Sequence, residues 1–126
     1  MNKKILIVED EKEVLSFLAD SLKRRNFIVE TSADGRDAIK KTGSFNPDLV
    51  LLDIMLPEIS GLEVLSWIKK NKPDIFVMLA SAKKELEDLK TGYSLEADYY
   101  ITKPYTIEEI IKGINIMFSF RENQFN

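Results

Sequence analysis

Four consecutive apolar residues, Leu49, Val50, Leu51 and Leu52, run straight into an acid, Asp53. An apolar run without polar alternation suits a strand buried on both faces, as in a parallel sheet covered by helices on either side. A carboxylate at the tip of such a strand costs free energy unless a partner offsets it. Where the other strands end therefore decides what Asp53 is for.

Four further apolar runs read as strands: Lys4–Val8, Phe27–Thr31, Phe76–Leu79 and Tyr99–Ile101. Amphipathic stretches alternate with them. Glu11–Lys23 carries Val14, Leu15, Leu18 and Leu22 at helical spacing, Asp34–Lys41 encloses Ala38, and Gly61–Lys70 carries Leu62, Leu65 and Ile68. Lys84–Leu95 reads as a mostly polar helix. Thr106–Phe120 is the last, with Ile107, Ile110, Ile111, Ile114, Met117 and Phe118 on its buried side. This alternation predicts the α/β class, a doubly wound five-stranded parallel sheet, and right-handed crossovers leave few topologies for it. A single domain is expected over residues 1–120. Residues 121–126, RENQFN, read as a frayed polar tail or the start of a linker.

The 126 residues are enough for one domain with a sizeable core, and 44% apolar with 31% charged residues is a soluble, globular balance. With no cysteine and no histidine, the chain lacks disulfides, thiolate metal sites, cysteine nucleophiles and any imidazole acid or base. A net charge of −3 gives no electrostatic case for nucleic-acid binding by this domain. No stretch is long and apolar enough for a membrane span, and MNKKILIVEDE lacks the apolar core of a signal peptide. A cytoplasmic protein without membrane contact is expected. Lys, Glu and Asp must carry any chemistry.

The strands of a parallel sheet all point one way, so their carboxyl ends share one rim, where ligands bind at the switch in strand order. Glu9 and Asp10 follow the first strand, Asp53 the third, Ser81 the fourth and Lys103 the fifth. Each has a plain structural reading. Asp10 suits a helix N-terminus whose dipole Glu9 and Glu11 complement, Asp53 and Ser81 suit turns, and Lys103 suits a solvated lysine before Pro104. Their convergence weighs against these readings, because chance helix caps do not also supply Asp53 and Lys103. Close carboxylates repel unless a cation joins them, and an all-oxygen donor set suits a hard ion such as Mg2+. A divalent ion and an ammonium beside a nucleophilic carboxylate would stabilise a transferring phosphoryl group.

The motifs ILIVEDE, LVLLDIMLPEISGLEVL, LASA and YYITKPY, in this order and spacing, resemble the receiver domain of bacterial two-component response regulators, over roughly Lys3 to Met117. The resemblance implies a flavodoxin-like (βα)5 fold with strand order 2-1-3-4-5. It makes Asp53 the phosphoacceptor, Asp10 a direct Mg2+ ligand, Glu9 a ligand through water, and the backbone carbonyl of Met55 a further ligand. Lys103 would contact the phosphoryl group and precede a cis bond to Pro104, and Ser81 would hydrogen-bond a phosphoryl oxygen. Ala82 would leave the site accessible, Tyr100 would turn inward as Ser81 moves, and Gly61 would open the third helix. Implied partners are a sensor histidine kinase or phosphotransfer protein on one side. On the other stands a downstream effector or a separate output domain, reached through the face of the fourth helix, fifth strand and fifth helix.

Three features depart from that family. Glu96 stands where a glycine is usual before the alanine and aspartate that lead into the fifth strand. Receivers of the winged-helix subfamily usually pair an acid at the position of Tyr99 with arginines near Gly113 and Phe120 in an ion-paired dimer, and none of the three is present here. Phe118 and Phe120 are more apolar than a solvated helix end requires, with core packing the better reading for Phe118. Three other functions each lack a feature they would need. An aspartyl-phosphate phosphatase would want a second acid two residues after the nucleophile, where this chain has Met55. A flavodoxin-like cofactor binder would want open amides after the first strand, where this chain has EDEKE. A receiver-like interaction module that is never phosphorylated would be favoured by loss of Asp10, Asp53 or Lys103, and all three are present.

Overall fold

A computed structural model describes residues 2–85, 87 and 96–124. Five strands, β1 (Lys4–Val8), β2 (Ile28–Ser32), β3 (Leu49–Asp53), β4 (Phe76–Ala82) and β5 (Tyr99–Lys103), pair in parallel in the order β2-β1-β3-β4-β5. Between them lie α1 (Lys12–Arg24), α2 (Gly35–Phe45) and α3 (Gly61–Asn71), and the C-terminal helix (Ile107–Gln124) follows β5. The helix expected over Lys84–Leu95 falls for the most part outside the described residues. No helix among the described residues is long and apolar enough to cross a membrane.

The unbroken apolar runs do what an enclosed sheet requires. Along β3, Leu49 and Leu51 face one layer while Val50 and Leu52 face the other, and all four are buried. The first layer joins Ile5, Ile7 and Met78 to Leu18 and Leu22 of α1 and to Ile110 and Ile114 of the C-terminal helix. The second joins Leu6, Val8 and Val77 to Ala38 of α2 and to Val64 and Ile68 of α3. Each fully buried aliphatic side chain contributes about 1.5–3 kcal/mol, so both layers stabilise the sheet between its helices.

Local chemistry sets the helix starts. The Asp34 carboxylate accepts the Asp37 N–H at 2.8 Å and the Ser60 hydroxyl oxygen accepts the Glu63 N–H at 3.4 Å. Helix α2 runs four residues beyond the expected Lys41 and ends where Asn46 takes a left-handed φ of 50°. Strands β4 and β5 also outrun their apolar cores, because the ladder continues through Ser81↔Thr102 and Ala82↔Lys103. The C-terminal helix continues to Gln124, and the Arg121 guanidinium lies 3.9 Å from the centre of the Phe76 ring. Phe118 meets Phe76 edge-on with ring centres 5.7 Å apart, whereas Phe120 is 61% exposed.

Candidate functional site

The register of the sheet brings the acids and the lysine together. Asp53 is the last residue of β3 and pairs with Ala80, while Lys103 ends β5 and pairs with Ala82. Glu9 follows β1, and its N–H donates to the Ser32 carbonyl at the end of β2. Three strand ends thus deliver three charged groups to one rim. The Lys103 Nζ donates to Asp53 Oδ2 at 2.6 Å and stands 3.7 Å from Glu9 Oε1. Glu9, Asp10 and Asp53 each offer an oxygen within 4.8 Å of the others. Glu9 and Asp53 are buried, whereas Asp10 is exposed.

Backbone amides finish the cage. The Met55 N–H donates to Asp53 Oδ1 at 3.0 Å and the Glu11 N–H to Glu9 Oε2 at 3.1 Å. Beneath, Gly61 lets the start of α3 press on the end of β3. A Cβ there would lie 2.4 Å from the Asp53 carbonyl oxygen and 2.6 Å from the Ile54 Cα, so only glycine fits without moving the backbone that carries the acid.

The electrostatics are those of a cation-seeking site. Burial pushes the Glu9 carboxyl up, the Asp53 carboxylate adds to this, and Glu9 reaches about 7 despite the Glu11 amide and Lys103. For Lys103, burial works downward, but the hydrogen bond to Asp53 and the charges of Asp53 and Glu9 outweigh it and raise its pKa. One ammonium therefore shares two buried carboxylates. The donors are all oxygen and one of them faces solvent, which fits a hard divalent ion that keeps several of its waters.

Residues 5–115 match the family described as the response regulator receiver domain. The chain is a response regulator receiver domain. It is 40% identical over 110 residues to the alkaline phosphatase synthesis transcriptional regulatory protein PhoP of Bacillus subtilis, covering 87% of this chain and 46% of PhoP. Among solved structures it is similar to a CheY-like response regulator receiver domain protein from Methanospirillum hungatei, with TM-score 0.90, 27% identity and coverage of 98% and 99% of the two chains. It is also similar to the BeF3-activated receiver domain of DrrB, a Thermotoga maritima protein, with TM-score 0.82, 29% identity and coverage of 94% and 99%. The chain spans about half the length of the curated relatives it matches, 46% of PhoP and 51% of the Staphylococcus saprophyticus response regulator ArlR.

Of the residues singled out from sequence, Glu9, Asp10, Asp53 and Lys103 meet in this receiver domain. Asp53, Ser81 and Lys103 lie inside their strands, not after them, because sheet pairing carries polar residues past the apolar runs. The Lys103–Pro104 bond is cis. Met55 turns its side chain outward, 62% exposed, which leaves its backbone to the site. Tyr100 is half-buried against the second core layer, and Ala82 is exposed. A Cβ on Gly113 would lie 2.7 Å from the Met78 Cε and 2.8 Å from the Tyr99 ring, so Tyr99 and Met78 fill the space that the glycine leaves.

Two residues were missed. Tyr105 is pushed up to about 12 by burial, helped by the Glu9 charge, and with Glu11, Phe17 and Lys103 it lines a hollow of about 600 Å³ beside the rim. Its place directly after Pro104 was the available signal. The other is Glu85, whose Oε2 accepts the Ser81 hydroxyl proton at 2.6 Å and faces the Ala82 N–H at 3.4 Å. A spacing of four residues across a strand end gave no periodic signal to find it.

Proposed function

We propose that this receiver domain, spanning residues 1–120, accepts a phosphoryl group on Asp53 from a phosphohistidine of a sensor histidine kinase or phosphotransfer protein, and that the modified domain signals to an effector or output domain. One observation carries the reading: a buried carboxylate, Asp53, lies 2.6 Å from an ammonium and within 4.8 Å of two further acids at the carboxyl rim of a parallel sheet. The domain acts as a switch that catalyses only its own phosphorylation and dephosphorylation.

In the transfer, an Asp53 carboxylate oxygen bonds to phosphorus as the phosphorus–nitrogen bond of the donor breaks. The electron pair of that bond stays with the imidazole, which is left neutral if it entered protonated. Mg2+ held by Asp10, Asp53 and the Met55 carbonyl, with Glu9 acting through water, would supply positive charge to the oxygens of the transferring group. Lys103 is already at the acceptor and follows the charge from the carboxylate to the phosphoryl oxygens. Ser81 donates its hydroxyl hydrogen to one of those oxygens, and Tyr100 turns inward as the end of β4 moves. The face of β5 and the C-terminal helix then favours its active arrangement.

The test is intact mass after incubation with acetyl phosphate, with and without Mg2+, with Asp53→Ala alongside. A single Mg2+-dependent phosphoryl adduct, absent in the variant, is expected. A folded sample that takes no adduct under any condition overturns the reading in favour of an unphosphorylated interaction module.

A further inference from the structure

Ser81 is 1% exposed and its hydroxyl hydrogen is already committed. Strand β4 carries Ser81 to the rim, in register with Thr102 and one position beyond Ala80, the partner of Asp53. There the hydroxyl donates to Glu85 Oε2 at 2.6 Å, and the neighbouring Ala82 N–H points at the same oxygen from 3.4 Å. Residues 83–85 have helical backbone, so the Glu85 carboxylate reaches back over the turn onto the end of the strand. A serine hydroxyl has one hydrogen to give, and a bond from it to a carboxylate is of the stronger, charge-assisted kind.

We infer that Glu85 is a resting-state latch: its carboxylate holds the hydrogen, and faces the amide, that a phosphoryl group on Asp53 would need, so activation must displace Glu85 from Ser81. This rests on the phosphoacceptor reading above and adds a residue with no place in it. Glu85 acts through Ser81 and is a positioning residue. The two acceptors compete for a single donor, and a ligand shifts a two-state equilibrium only by its differential affinity for the states. Weakening the resting partner therefore strengthens the hold on the phosphoryl group. Because the carboxylate is also anionic, its departure removes a negative charge from beside the incoming one.

A plain alternative exists for Glu85: an acid in a first helical turn complements the helix dipole. The two roles separate in a double-mutant cycle. Wild type, Glu85→Gln, Ser81→Ala and the double variant are titrated with beryllium fluoride in the presence of Mg2+, and binding is read by calorimetry and by fluorine NMR. Glu85→Gln keeps an acceptor oxygen but not its charge, so it is expected to bind roughly fivefold tighter than wild type, the margin by which a charge-assisted hydrogen bond exceeds a neutral one, and the gain is expected to vanish in the Ser81→Ala background. Unchanged or weaker binding by Glu85→Gln overturns the latch, as does an equal gain with and without the serine hydroxyl, which would assign the effect to charge alone. Wild type that binds no beryllium fluoride overturns the phosphoacceptor reading itself and the latch with it. Binding by wild type with no effect of Glu85→Gln overturns the latch alone.

Discussion

At the scale of single residues, the rim is a problem of unequal charge, with two buried carboxylates and one ammonium. Glu9 sits at about 7 against an ordinary 4.5, so between these values the folded protein holds more protons than the unfolded chain. Its contribution to stability is complete below about pH 4.5 and is lost as pH rises through about 7, at up to about 1.4 kcal/mol per pH unit. Metal-free protein is therefore expected to lose denaturant resistance from pH 5 to pH 8, and Glu9→Gln to flatten that loss. A wild-type profile as flat as that of the variant would contradict the assignment. Lys103→Ala leaves Asp53 able to react but without its cation, so phosphorylation by acetyl phosphate is expected to persist while the change in the output face fails. Normal switching in that variant, followed by hydrogen exchange on β5 and the C-terminal helix, would remove Lys103 from its role. Met55 is the third test. Its outward side chain lies two residues from Asp53, and Met55→Glu places a general base there that can activate water. Loss of the adduct is expected to accelerate by roughly tenfold or more, read from intact mass against time.

At the scale of elements, two glycines make opposite predictions from one substitution. Gly61→Ala puts a methyl group against the backbone of Asp53 and Ile54, so α3 or the end of β3 must shift. A stability loss of about 1–3 kcal/mol with weakened phosphorylation is expected. Gly43 lies on the exposed side of α2 with nothing within 4 Å of an added Cβ, so Gly43→Ala is expected to stabilise by about 0.4–1 kcal/mol with phosphorylation unchanged. Both are read from urea midpoints. The elements also show how far the sequence could be read. The apolar runs located every strand, since residues such as Leu49–Leu52 can be buried on both faces only in an enclosed sheet. They stopped short at Ser81 and Lys103, where pairing with a neighbouring strand, and not hydrophobicity, extends the element. The four rim charges were legible because topology alone sends strand ends to one edge. Glu85 was not, because its role depends on a side chain folding back over a turn, which no period records. The tight seat of Tyr99 on Gly113 was equally silent, since it joins a strand to a helix through shape.

At the scale of the molecule, a site assembled from so many strand ends ties ligand binding to the stability of the entire sheet. Mg2+ bound only by the folded form is expected to add about 2.7 kcal/mol at a hundredfold excess over its Kd, moving the urea midpoint without changing the slope. Asp10→Asn with Asp53→Asn is expected to abolish that shift, and a shift retained in the double variant would place the ion elsewhere. The rim has a further consequence. Asp53 and Lys103 meet across fifty positions of chain, with β4 and its pairing to β5 laid down between them. During synthesis the acids leave the ribosome early and the ammonium late, so a nascent chain holds buried-to-be carboxylates whose counter-charge arrives only with the last strand.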